Sequence, residues 1–86
     1  MTDHDEFAWD QTLYKYEQIA QVIAERIRKD VYPPQSVLSE VRFEDEFGVS
    51  RPTVRLAFKL LREEGLIVTR RGKGSVVVHK DHRPPR

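Results

Sequence analysis

Residues 47–55, Phe47-Gly48-Val49-Ser50-Arg51-Pro52-Thr53-Val54-Arg55, hold a helix stop and a helix start within three positions. Gly48 supplies the positive φ that closes a helix and turns the chain sharply, because a residue without Cβ enters the left-handed region without a clash. Ser50 is a good N-cap for a new helix, and Pro52 lies in its first turn, where its missing N–H costs nothing. One helix therefore ends at about Phe47 and a second begins at Arg51.

Downstream, Val54, Ala57, Phe58 and Leu61 share one helical face, and Gly65 is the expected residue just past the helix end. Upstream, a short helix runs from about Ser39 to Phe47, with Phe43 and Phe47 one turn apart and Ser36 or Ser39 as its cap. A longer helix starts at Leu13, where Tyr16, Ile19, Ala20, Ile23 and Ile27 line one face and Lys15, Gln18, Glu25, Arg26 and Lys29 the other. The segment Asp30-Val31-Tyr32-Pro33-Pro34 is expected to end it, since each proline drives its predecessor out of the helical region. After Gly65 the period becomes that of strands, Leu66 to Thr69 and Ser75 to Val78, around the tip Arg70-Arg71-Gly72-Lys73-Gly74. The fold class is mainly α with a small β-hairpin: a winged helix-turn-helix with a three-helix core and a β-wing over residues 13–79. Residues 1–12 form a flexible acidic arm from which Phe7 and Trp9 are able to tuck back, and residues 80–86 a basic, Pro-rich tail with nothing to pack against.

Composition bounds the function. The 86 residues are 38% hydrophobic, enough for one modest core. The absence of cysteine excludes disulfides and thiolate metal sites and fits a reducing, cytoplasmic setting. No apolar run approaches the roughly 18 residues of a bilayer span, and the acidic start is unlike a signal peptide. A net charge of +1 conceals its distribution. Asp3, Asp5, Glu6 and Asp10 lie at one end, whereas Arg70, Arg71, Lys73, Lys80, Arg83 and Arg86 face only Asp81 at the other. His4, His79 and His82 lack ligand spacing, and the adjacent Asp45 and Glu46 point about 100° apart on a helix. Neither catalysis, nor a metal, nor a cofactor is expected.

In a helix-turn-helix the second helix enters the major groove, and its N-terminal residues reach base edges. Here Arg51, Arg55, Lys59 and Arg62 succeed one another at spacings of four, four and three, away from Val54 and Leu61. A guanidinium grips guanine O6 and N7 bidentately, while lysine and helix N-terminal amides suit phosphate. Glu63 and Glu64 are near enough to pair with Lys59 and Arg62, and they leave Arg51 and Arg55 unpaired within their own helix. In the wing, two glycines keep the backbone thin, so a tip carrying Arg70, Arg71 and Lys73 is able to slip into a minor groove.

The run Phe47 to Arg55, together with Ala57, Leu61, Glu64-Gly65-Leu66-Ile67 and Gly72-Lys73-Gly74, resembles the N-terminal domain of GntR-type bacterial regulators. Tyr16, Gln18-Ile19-Ala20, Ile27, Tyr32-Pro33-Pro34 and Ser39-Glu40 extend the resemblance over about residues 13–79. It implies sequence-specific binding of double-stranded DNA as a homodimer on a near-palindromic operator, usually in repression. It carries over Arg51, Thr53 and Arg55 as major-groove readers, Ser50 as cap and phosphate contact, and Gly72 as the minor-groove residue of the wing. The candidate DNA-binding set is then Ser39, Arg42, Ser50, Arg51, Thr53, Arg55, Lys59, Arg70, Arg71, Gly72, Lys73 and Gly74. An effector ligand enters only if a C-terminal domain is attached, because the six residues after Lys80 hold none.

The sequence departs from the family pattern at several positions. Gln35 stands where glycine is usual, and the connector to the second helix is one residue shorter. Val41 replaces a usual basic residue and Arg42 a usual acidic one, so the contact expected from the second helix is either lost or moved to Arg42. Phe43 and Phe58 replace leucine and Glu44 replaces alanine, a repacking of the second helix within the same fold. The competing functions are a winged-helix module for protein contact, with Leu56 and Leu60 as its surface, or a DNA-architectural factor.

Overall fold

Residues 8–85 are described by the computed structural model, so the expectations for Phe7, for Asp3, Asp5 and Glu6, and for Arg86 lie outside the described residues. Three helices, α1 (Lys15–Arg28), α2 (Glu40–Phe47) and α3 (Arg51–Glu63), pack beside a three-stranded antiparallel sheet. Its strands are β1 (Val37–Leu38), β2 (Ile67–Arg70) and β3 (Gly74–Val77), in the order β1-β3-β2. The hairpin pairs Ile67 with Val77 and Arg70 with Gly74. Strand β1 is an addition to the expected hairpin. Its two residues are too few to show a period, and pairing with Val76 and Ser75 of β3 makes it a strand.

Two left-handed residues that are not glycine carry the connector between α1 and α2. Asp30 (φ 61°) ends α1 well before the prolines: its N–H donates to Ile27 O and that of Val31 to Arg26 O, which satisfies the last carbonyls. The helix thus ends at the Asp30 to Pro34 segment as expected, but the device is the left-handed Asp30 and not the prolines. Gln35 (φ 73°) takes the conformation for which glycine is usual, and its N–H donates to Val77 O at 2.8 Å, closing the connector onto the sheet. Gly48 (φ 65°) and Gly65 (φ 75°) end α2 and α3 as the sequence predicts.

The core gathers Ile19, Ile23 and Ile27 of α1, Phe43 and Phe47 of α2, Val54, Phe58 and Leu61 of α3, and Ile67 and Val77 of the sheet, all at most 2% exposed. Burying one side chain of this size contributes roughly 1.5–3 kcal/mol. Phe43 and Phe58 meet edge to face at 5.9 Å, so the two replacements of leucine fit each other. Arg26 ties α1 to α2 by pairing with Glu46 at 2.5 Å and donating to the Tyr32 hydroxyl at 2.6 Å. The Glu46 hydrogen bond raises the Arg26 pKa above its usual value, against the opposing effect of burial.

Both ends of the described chain are anchored. Gln18, expected on the polar face of α1, is buried instead: its amide donates to Asp10 O and Leu13 O and accepts from Asp10 N–H. That pins the arm, and Trp9 tucks back onto Phe47 at 6.4 Å, with Lys15 over its ring. Residues 80–85 also fold back, contrary to a tail with nothing to pack. Lys80 pairs with Asp30 at 2.6 Å, Arg83 Nε donates to Val78 O at 2.8 Å, and Pro84 covers Gly65.

Candidate nucleic-acid interface

Helix α3 divides cleanly. Val54, Ala57, Phe58 and Leu61 are buried, and Arg51, Arg55, Lys59 and Arg62 are all exposed along the flank beside that face. Leu60 is partly buried against the core, and Leu56, one turn before it, is 46% exposed. Ser50 is extended (φ −76°, ψ 161°), and the helix begins at Arg51 as predicted. Its hydroxyl, however, caps no backbone N–H: it lies 3.2 Å from the Thr53 hydroxyl. Ser39 does cap α2, accepting from Arg42 N–H at 3.3 Å.

The two leading arginines are not free. Arg51 Nε lies 2.5 Å from Glu44 Oε2, and Arg55 Nε lies 3.3 Å from both carboxylate oxygens of Glu40. Glu40 and Glu44 are one turn apart on α2, as Arg51 and Arg55 are on α3, so the pairs form two rungs between the helices. The Glu44 hydrogen bond raises the Arg51 pKa, helped by the charges of Glu44 and Glu40. No carboxylate within α3 makes these contacts, so sequence spacing along α3 alone does not expose them. The expected pairing of Lys59 and Arg62 with Glu63 and Glu64 is absent among the described residues, where Glu64 turns to Arg28 at 3.4 Å.

Between the start of α2, the outer side of α3 and the hairpin runs an open groove of about 520 Å³. Ser39 and Glu40 form one wall, Arg55 and Arg62 the next, and Thr69, Gly74 and Ser75 the third. Thr69 and Ser75 are direct cross-strand partners, one pair below the Arg70–Gly74 pair that leads into the turn. Of the predicted set, Ser39, Arg55 and Gly74 meet here. Arg42 lies instead in a neighbouring cleft beside Tyr32 and Pro33.

At the wing tip, Lys73 N–H donates to Arg70 O at 3.0 Å, and Gly72 (φ 79°) and Gly74 (φ 95°) take conformations that favour glycine. Nothing lies within 4 Å of the space a Cβ would occupy at either. Arg70, Arg71 and Lys73 are exposed and make no ion pair among the described residues. Glu40, Glu44, Arg62, Thr69 and Ser75 were outside the predicted set. The i, i+4 spacing of Glu40 and Glu44 was the available signal for that pair. Among the described residues, no cluster of three or more acidic or histidine side chains is arranged to hold a metal, and no helix is long and apolar enough to cross a membrane.

Residues 15–77 match the family model of bacterial regulatory proteins, gntR family. The chain belongs to the GntR family. Among similar regulators, the HTH-type transcriptional regulator GmuR of Bacillus subtilis (strain 168) is 40% identical over 65 residues, 74% of this chain and 27% of GmuR. The histidine utilization repressor of Klebsiella aerogenes is 38% identical over 63 residues, 72% of this chain and 26% of that protein. The chain thus spans about a quarter of the length of these curated relatives. The crystal structure of AraR(DBD) in complex with operator ORR3 superposes with a TM-score of 0.73 at 30% identity, over 84% of this chain and 88% of that one. The winged helix-turn-helix expected from the sequence is therefore the observed GntR fold, in a family of regulators and not of enzymes.

Proposed function

We propose that this domain binds double-stranded operator DNA sequence-specifically in transcriptional regulation, with α3 in the major groove and the wing in the minor groove. The observation that carries this reading is the pair Arg51 and Arg55, one turn apart at the start of α3 and both exposed, with Arg55 and Arg62 lining a groove that the wing strands close at Thr69, Gly74 and Ser75, beside an exposed cationic hairpin tip. Arg51, Thr53 and Arg55 read base edges. Ser39, Arg42, Ser50 and Lys59 meet phosphates, and Arg70 to Gly74 line the minor groove. The operator complex of AraR(DBD), a similar fold, supports the choice of ligand.

Binding is as a homodimer on a near-palindromic site in the cytoplasm, and its consequence is repression, as the name of the Klebsiella aerogenes relative supports. An effector acts only through a further domain. The reading as a protein-contact module has less support, because Leu60 is partly buried against the core and leaves Leu56 as the exposed leucine of the two. Selection of bound duplexes from a randomised pool tests the proposal. A recovered consensus with two related half-sites is expected, bound with an affinity whose log-log salt slope is about −0.9 per phosphate contacted. Recovery of no preferred sequence at low salt would remove specific binding.

A further inference from the structure

The carboxylates of α2 have no part in the reading above, yet they touch both of its principal arginines. Each contact is made by Nε, and among the described residues neither guanidinium gives its terminal NH2 groups to a partner. The side chains remain 45% exposed at Arg51 and 64% at Arg55, whereas those of Glu44 and Glu40 are 27% and 30% exposed. The acids lie on the inner side of each pair and the bases on the outer. A guanidinium held by its inner edge keeps two parallel N–H donors pointing outward, the geometry that matches guanine O6 and N7.

We propose that Glu44, with Glu40 beside it, is a positioning residue that aims Arg51 and Arg55 at base edges and offsets their attraction to phosphate, thereby setting how well the domain separates its operator from other DNA. This rests on the reading that the two arginines meet bases. Two effects act together. An arginine already confined by a carboxylate loses less rotamer freedom when it docks on a base, which favours the correct site. Its neutralised charge is also worth less against the uniform phosphate backbone, which every sequence presents. Exposed ion pairs add little to folding, so the consequence appears in binding.

Three variants separate this from a simple change of net charge. Glu44→Gln keeps the shape and one acceptor oxygen but removes the charge that holds Arg51. Glu40→Gln does the same beside Arg55. Glu63→Gln makes the same charge change at the exposed end of α3, where Glu63 forms no ion pair among the described residues. Affinities for a duplex recovered by selection and for a scrambled duplex are measured for each. With Glu44→Gln the ratio of the two affinities falls about tenfold, chiefly through tighter binding to the scrambled duplex, and Glu40→Gln acts likewise through Arg55. Glu63→Gln leaves the ratio unchanged.

An unchanged ratio for both Glu44→Gln and Glu40→Gln, or an equal gain on both duplexes, overturns the inference. Arg51→Ala and Arg55→Ala are the controls on its premise. If these leave the ratio as it was, the arginines do not read bases, and both the premise and the inference fall for that separate reason.

Discussion

Arg51 and Arg55 each have a carboxylate of α2 against the Nε edge, whereas Arg70, Arg71 and Lys73 at the wing tip have none among the described residues. The rail lies on a helix whose other face is fully buried, and the wing tip projects into open space on two left-handed glycines. Residues of the same charge are thus prepared for different work. A guanidinium fixed and compensated before binding suits recognition of one base edge. An uncompensated cation suits any phosphate within reach and is the larger source of salt dependence.

Reader and anchor can divide the work in this way only if α3 and the wing keep a fixed relation, and their joint is Gly65. It sits at φ 75°, between the last turn of α3 and β2, where Gly65 N–H donates to Arg62 O and Leu66 N–H to Leu61 O. A Cβ there would lie 2.6 Å from Pro84 Cδ as well as in a strained backbone region. Gly65→Ala is therefore the substitution with the largest expected effect, a loss of about 2–3 kcal/mol in chemical denaturation. Removing residues 84–86 in the same background should restore a part of that loss, since it removes the clash and leaves the strain. Equal stability of Gly65→Ala and the parent would mean that the joint is not built this way.

Next in size is the contrast between the two regions themselves. Arg55→Ala should weaken binding to the selected duplex by about 1–3 kcal/mol and relax the preference at one base pair, with a smaller loss on scrambled DNA. Lys73→Ala should weaken all duplexes alike, by about 1 kcal/mol at low salt, and lower the log-log salt slope by about 0.9. Titrations of both duplexes at several salt concentrations read all of these quantities. Identical behaviour of the two variants would erase the distinction between reader and anchor.

Most of the helical frame was legible because local chemistry specifies it. Gly48 and Gly65 end helices by a conformation that their neighbours cannot share cheaply, and the apolar periods of α1 and α3 fix the buried faces. What stayed hidden depends on contacts between distant parts of the chain. Strand β1 exists because β3 pairs with it, and Gln18 is polar in type yet buried because the arm supplies three partners for its amide. The tail looked unsupported until Asp30 and Gly65 came within reach. At the candidate site, the exposure of Arg51 and Arg55 came from period alone, but their carboxylate partners, 7 and 15 residues upstream, required the packing angle of α2 on α3.

The smallest expected effect separates the serines that precede the two helices of the pair, alike in sequence and different in the fold. Ser39 Oγ accepts from a backbone N–H of α2, and Ser50 Oγ meets only the Thr53 hydroxyl. A cap that satisfies a backbone donor is worth about 1 kcal/mol, whereas an exposed hydroxyl pair is worth roughly a few tenths. Ser39→Ala should therefore lower stability measurably, and Ser50→Ala should leave the melting temperature nearly unchanged while weakening DNA binding through loss of a phosphate contact. If Ser50→Ala instead destabilises the domain as much as Ser39→Ala does, its hydroxyl caps α3 in solution. The beginning of α3 would then be held by the same device as the beginning of α2, and the difference between the two ends would rest on charge alone.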